Sequence, residues 1–186
     1  MCRLINAGDF MKKFLTVLFV LIAFAFTYSI SAIAAGGLKW QYPTKIKTYI
    51  QPNHKRTIMM KHAFQEWSRK THNKVVFVYV PSKSTAQIEV EFVKVIPNAD
   101  REIGLTQFRY HNGKMLHAKI YIAEKDSNMQ SLSEDAVYTV MLHEIGHAIG
   151  LEHTNNRMSI MYPSEDDRQE ILQSDLKILA GIYGWK

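Results

Sequence analysis

Apolar residues recur along positions 35–186 with two different periods, and the alternation between those periods predicts the elements. Residues 44–50 alternate, with Ile46 and Ile50 apolar, and read as a strand. Over 55–70, Met59, Met60, Ala63, Phe64 and Trp67 fall at helical spacing and form one apolar stripe. Residues 75–80 read as a buried-type strand closed by Pro81. Over 87–93, Ile88, Val90 and Phe92 alternate with Glu89 and Glu91, the signature of a half-exposed strand. Residues 104–110 and 115–122 flank Asn112-Gly113, the strongest short hairpin signal, so they are predicted to pair. The order to this point is β-α-β-β-β-β.

The next helix is unlike the first. Ser131 with Glu134 three positions on reads as its capping box. Ala136, Val137, Val140, Met141, Leu142, Ile145, Ala148 and Ile149 then cover nearly every face, as in a buried helix. The polar residues His143, Glu144 and His147 inside it therefore call for a chemical reason. A last helix is predicted over 169–183. No repeat, low-complexity tract or linker interrupts 35–186, so one domain is expected there.

The leading residues have a different character. Met11, Lys12 and Lys13 precede the apolar run 14–26, and Ala32 and Ala34 occupy the small-residue positions read by a signal peptidase. Residues 1–34 are thus expected to be a secretory signal peptide, with translation starting at Met1 or Met11. The alternative is a retained membrane anchor, for which the apolar run is short. Cleavage removes three basic residues (Arg3, Lys12, Lys13) and one acid (Asp9), lowering the net charge from +6 to +4. A mild, unclustered excess suits anionic surfaces such as cell walls and gives no case for nucleic acid.

The single cysteine is Cys2, so residues 35–186 offer no disulfide, no thiolate metal site and no cysteine nucleophile. A chain 47% hydrophobic and 22% charged is in the range of globular proteins rather than disordered or fibrous ones.

Residues 143–153 read His-Glu-Ile-Gly-His-Ala-Ile-Gly-Leu-Glu-His. His143 and His147 are one helical turn apart and project from the same face, so both can bind one metal ion. Glu144 is beside them, within reach of a metal-bound water. Gly150 can adopt the left-handed conformation that ends a helix, and the resulting turn brings His153 back as a third ligand. Three imidazoles with an open fourth position describe a catalytic zinc site, because structural sites close the tetrahedron with protein ligands.

At these residues the chain resembles the metzincin metallopeptidases and, among them, the matrixins, the family of the matrix metalloproteinases, in a bacterial-type form without a pro-domain. The resemblance covers residues 39–184. Trp40 with Thr48-Tyr49, the run Ala63-Phe64-Gln65-Glu66-Trp67-Ser68, and Ala86-Gln87-Ile88-Glu89-Val90-Glu91-Phe92 are similar to the family's first strand, first helix and third strand. Ser159-Ile160-Met161-Tyr162-Pro163 is similar to the Met-turn beneath the metal, and Ser174-Asp175-Leu176 to the closing helix.

The resemblance implies an α+β fold, a twisted mixed sheet packed on two long helices. It implies one catalytic zinc on His143, His147 and His153, with Glu144 as general base toward a zinc-activated water. It also implies that Asp175 braces the turn at Met161, and that Tyr162 and Pro163 wall the pocket after the cut. The expected activity is a secreted, monomeric endopeptidase acting on polypeptides, the extended substrate adding along 104–110. Membrane association is expected only through a retained leading segment.

The departures are specific. No cysteine is placed to block the metal. His117 is the one counterpart of the family's structural-zinc ligands, and Asp100, Glu124 and Asp126 read as ordinary loop acids, so neither structural zinc nor calcium is supported. Ser174 stands where an acid is common. The competing function is a non-catalytic, zinc-containing binder of surface or cell-wall peptide, which has no use for a base at Glu144.

Overall fold

The computed structural model describes residues 37–96, 102–164 and 169–186. The leading segment with Cys2, Met11 and its Ala32/Ala34 processing site, together with Asp100, lies outside the described residues.

Five strands form one mixed sheet: β1 (Ile46–Ile50), β2 (Phe77–Tyr79), β3 (Ile88–Val93), β4 (Gly104–His111) and β5 (Lys114–Ala123). Their spatial order is β2-β1-β3-β5-β4. All neighbours are parallel except β4, which runs antiparallel to β5 and occupies an edge. The β4–β5 hairpin turns through Asn112 and Gly113, whose φ values of 49° and 72° are those of the turn that matches strand twist. Leu116 is an extra residue in β5, since Arg109 faces His117 while Tyr110 faces Met115. Along β3 the expected alternation is present: Ile88, Val90 and Phe92 are buried, and their neighbours half-exposed.

Three helices follow from the apolar stripes: α1 (Thr57–Lys70), α2 (Glu134–Ala148) and α3 (Gln173–Tyr183). On α1 the buried residues are Met60, Ala63, Phe64 and Trp67, spaced to face one side. In α2 burial is nearly continuous from Val137 to Ala148, as expected of a helix apolar all round. The inner sheet face (Ile46, Ile88, Val90, Ile120, Ile122) and these two helices enclose one core. Among the described residues, no helix is long and apolar enough to cross a membrane.

Three expectations require correction. The cap of α2 is Ser133, whose Oγ accepts the Ala136 N–H at 3.2 Å, and not Ser131. Ser131 instead bridges to Lys125 in the preceding loop. The buried-type strand expected over 75–80 shrinks to Phe77–Tyr79, opposite only Ile46, Lys47 and Thr48 of β1, and as an edge strand it leaves Val78 and Tyr79 exposed. The closing helix begins at Gln173 rather than 169, because Glu170 bridges to Ser159 instead.

Candidate metal and catalytic centre

Helix α2 carries His143 and His147 one turn apart, and the chain leaves the helix at Gly150 with φ 110°. That conformation excludes a side chain, and a Cβ there would also overlap the Leu38 carbonyl. The turn returns His153 to the same place. The Nε2 atoms of the three histidines lie 3.0, 3.2 and 3.3 Å apart. Among the described residues, this is the one cluster of three groups able to hold a metal.

The protonation pattern sets what the triad can bind. His143 Nδ1 donates to the Ile160 carbonyl at 2.7 Å, and His147 Nδ1 to the Leu151 carbonyl at 2.8 Å. Burial, foremost, holds His143 below the usual imidazole value and pushes His147 down to about 4, so both rings are neutral near pH 7. With their protons on Nδ1, these two rings turn bare Nε2 lone pairs toward each other. A cation between them converts that repulsion into coordination. Zinc–nitrogen bonds of about 2.0–2.1 Å at tetrahedral angles require nitrogen separations of about 3.3 Å. The triad fits zinc. His143 is buried, His147 partly so and His153 exposed, leaving the site open on the His153 side.

The floor is built by packing rather than polarity. Met161 is buried, and its Sδ lies so close to Gly146 that any Cβ at 146 would overlap it. Gly146 thus lets the turn at Met161 approach the helix. Trp67 Nε1 donates to the Leu142 carbonyl at 2.9 Å and Trp40 Nε1 to the Ala148 carbonyl at 2.8 Å, fixing α2 at two points. The Thr154 N–H, next to His153, donates to the Met161 carbonyl at 2.9 Å. Asp175 lies 1% exposed, accepting the Ser159 hydroxyl at 2.7 Å and the Leu172 N–H at 2.9 Å. Ser159 Oγ in turn accepts the Met161 N–H at 2.9 Å. Asp175 therefore reaches the turn through Ser159.

Glu144 is 4% exposed, and its Oε2 accepts the Thr106 hydroxyl of the edge strand at 2.5 Å. Tyr162 is half-buried and Pro163 exposed, directly after Met161. His117, on the outer face of β5, pairs with Glu89 of β3 at 2.8 Å. Glu124 pairs with His54, and Asp126 accepts the backbone N–H groups of Asn128 and Gln130. Thr106, Gly104, Gly146 and Ser159 are the members of this centre that the sequence reading did not assign. Gly146 and Ser159 lie within runs already singled out, but nothing in the local sequence marks Thr106.

A helix with two histidines, a sharp glycine exit to a third, and a methionine turn beneath them define a metzincin-type centre. A sequence model of the matrixin family, a peptidase family, matches residues 37–184, and the chain belongs to that family. It is 27% identical over 139 residues to a probable matrix metalloproteinase, 095L, of Invertebrate iridescent virus 3, covering 70% of this chain and 38% of that protein. It is 28% identical over 128 residues to the interstitial collagenase of Oryctolagus cuniculus, and 25% identical over 130 to the macrophage metalloelastase of Rattus norvegicus. Each of these two covers 66% of this chain and 27% of the relative, so the chain spans roughly a quarter to two fifths of these three relatives.

Proposed function

We propose that this protein is a secreted zinc-dependent endopeptidase. The observation that carries the reading is the convergence of three Nε2 atoms within 3.3 Å beside a buried carboxylate, at a centre open on the His153 side. His143, His147 and His153 would hold the metal. Zinc, when bound, lowers the pKa of a water to about 7 and polarises a carbonyl, as amide hydrolysis requires.

The rest is the work of the chain. Strand β4 is a sheet edge, so an extended polypeptide can add to it by main-chain hydrogen bonds. That placement sets the scissile carbonyl over the histidines. Glu144 takes the proton of the attacking water and passes it to the leaving amine. Tyr162 and Pro163 form one wall of the pocket that receives the side chain after the cut. Asp175, through Ser159, and Met161 keep the floor in register. Export rests on the basic start, apolar run and Ala-x-Ala end of residues 1–34.

The test is exposure of an unbiased peptide library to the purified protein, with and without a zinc chelator. Cleavage that disappears with chelator and returns with added zinc is the expected result. Peptide binding without cleavage in zinc-replete samples would replace this reading with that of a surface binder.

A further inference from the structure

We propose that Thr106 is a positioning residue for Glu144, so that the substrate-binding edge strand itself sets the orientation of the general base. The inference rests on the endopeptidase reading for its functional meaning, and on the geometry of β4 and α2 for its content. Thr106 Oγ1 lies 2.5 Å from Glu144 Oε2 and 3.1 Å from the Glu144 main-chain carbonyl. A hydroxyl has one proton, and the shorter contact, to the carboxylate oxygen, takes it. The bond spans two elements: Thr106 is on the edge strand and Glu144 on the helix of the histidines.

Gly104, on the same inner face of β4 two residues earlier, completes the slot. It is buried, and a Cβ there would come within 2.8 Å of Glu144 Cγ and closer still to Val140 Cγ1. Strand β4 therefore makes room for the carboxylate at one position and grips it at the next inward-facing one. A glutamate side chain has three rotatable bonds, and a base must be within hydrogen-bond reach of the proton it takes. The hydroxyl and the slot at Gly104 restrict that freedom before substrate arrives. Since an added substrate strand pairs with the backbone of this same β4 segment, substrate and base are set by one element.

Three single variants and one double variant with its Glu144→Gln reference decide the matter, each measured for zinc content and for kcat and KM on a peptide the wild type cleaves. Thr106→Ser keeps the hydroxyl and should stay within about threefold of wild type. Thr106→Val keeps the shape but loses the donor. It should lower kcat about tenfold with KM and zinc content within twofold, since small misplacements of a reacting group cost up to about 100-fold. Gly104→Ala should also lower kcat with Thr106 intact. In a Glu144→Gln background, Thr106→Val should change the residual rate less than twofold. An equal loss in both backgrounds, or a wild-type kcat for Thr106→Val, would overturn the proposal.

A second readout needs no turnover. In the zinc-loaded protein, Thr106→Val should lower Tm by about 4 °C when Glu144 is present and by about half as much with Glu144→Ala, where the hydroxyl can still donate to the main-chain carbonyl of residue 144. Equal drops would show that the hydroxyl acts elsewhere. A wild type that binds zinc yet cleaves nothing would remove the endopeptidase reading alone, and the melting cycle would still decide whether Thr106 grips Glu144.

Discussion

Removing the Asp175 carboxylate should damage the floor of the metal centre far more than altering the methionine that forms it. Asp175 is 1% exposed and accepts two hydrogen bonds, from the Ser159 hydroxyl at 2.7 Å and the Leu172 N–H at 2.9 Å. In Asp175→Ala both donors lose their acceptor in a buried place, at about 1–3 kcal/mol each. Regaining the cost of burying a carboxylate offsets part of this, so a net loss of about 3–4 kcal/mol is expected. For a domain of this size about 2–4 °C follows each kcal/mol, giving a fall in Tm of about 6–16 °C. Asp175→Asn keeps one acceptor oxygen and should lose about half as much. Met161→Leu nearly conserves volume against Gly146 and should cost under about 1.5 kcal/mol. Because Ser159 connects the carboxylate to the Met161 N–H, Ser159→Ala and Asp175→Ala should be strongly non-additive. The assay is thermal unfolding followed by circular dichroism, with and without chelator. A larger fall for Met161→Leu than for Asp175→Ala, or full additivity with Ser159→Ala, would refute the bracing role.

Elemental analysis of the purified chain should give about one zinc per molecule, markedly reduced by His153→Ala; two tightly held zincs would place a further site near His117 and Glu89. Gly150→Ala should unfold the turn and release metal, since φ is 110° and a Cβ would overlap the Leu38 carbonyl; a stable variant with full zinc would contradict that geometry. Acid stability should depend on Glu91, whose hydrogen bond from Lys83, foremost, and then that from Lys119 hold its carboxyl below its ordinary value of 4.5. A depressed carboxylate adds stability that is fully present above the unfolded pKa and is lost as pH falls through the folded one. Glu91→Gln should therefore weaken the fold above about pH 5 and flatten its acid limb, and an unchanged profile would show that the bonds from Lys83 and Lys119 contribute nothing.

How much of this was readable from the sequence depended on how local the cause is. The histidine spacing, the Gly150 exit and the Asn112-Gly113 hairpin are each set within about ten residues, so they were legible. The order β2-β1-β3-β5-β4 depends on which strands meet across the core, and no local pattern states it. Arg56 makes the same point in a single side chain. It carries a charge and directly precedes α1, yet it is 2% exposed and donates to the Ala123 carbonyl at 3.1 Å, tying the helix start to the end of β5. Thr106 meets Glu144 only because the edge strand crosses α2 at that register. Ser131 misled as a cap because the spacing to Glu134 is right, while the loop bridge with Lys125 holds it away from the helix.

Glu144→Gln tests the central claim most directly. The swap is nearly isosteric in a position only 4% exposed, so fold and zinc should persist, while the amide cannot take a proton from the attacking water. General-base help is worth about 10²–10⁴ in rate, and the same group here also delivers a proton to the amine. Peptide cleavage and zinc content measured on the same samples should give undiminished zinc with turnover reduced at least about a hundredfold. Zinc-loaded Glu144→Gln that cleaves within a few-fold of wild type would contradict the account.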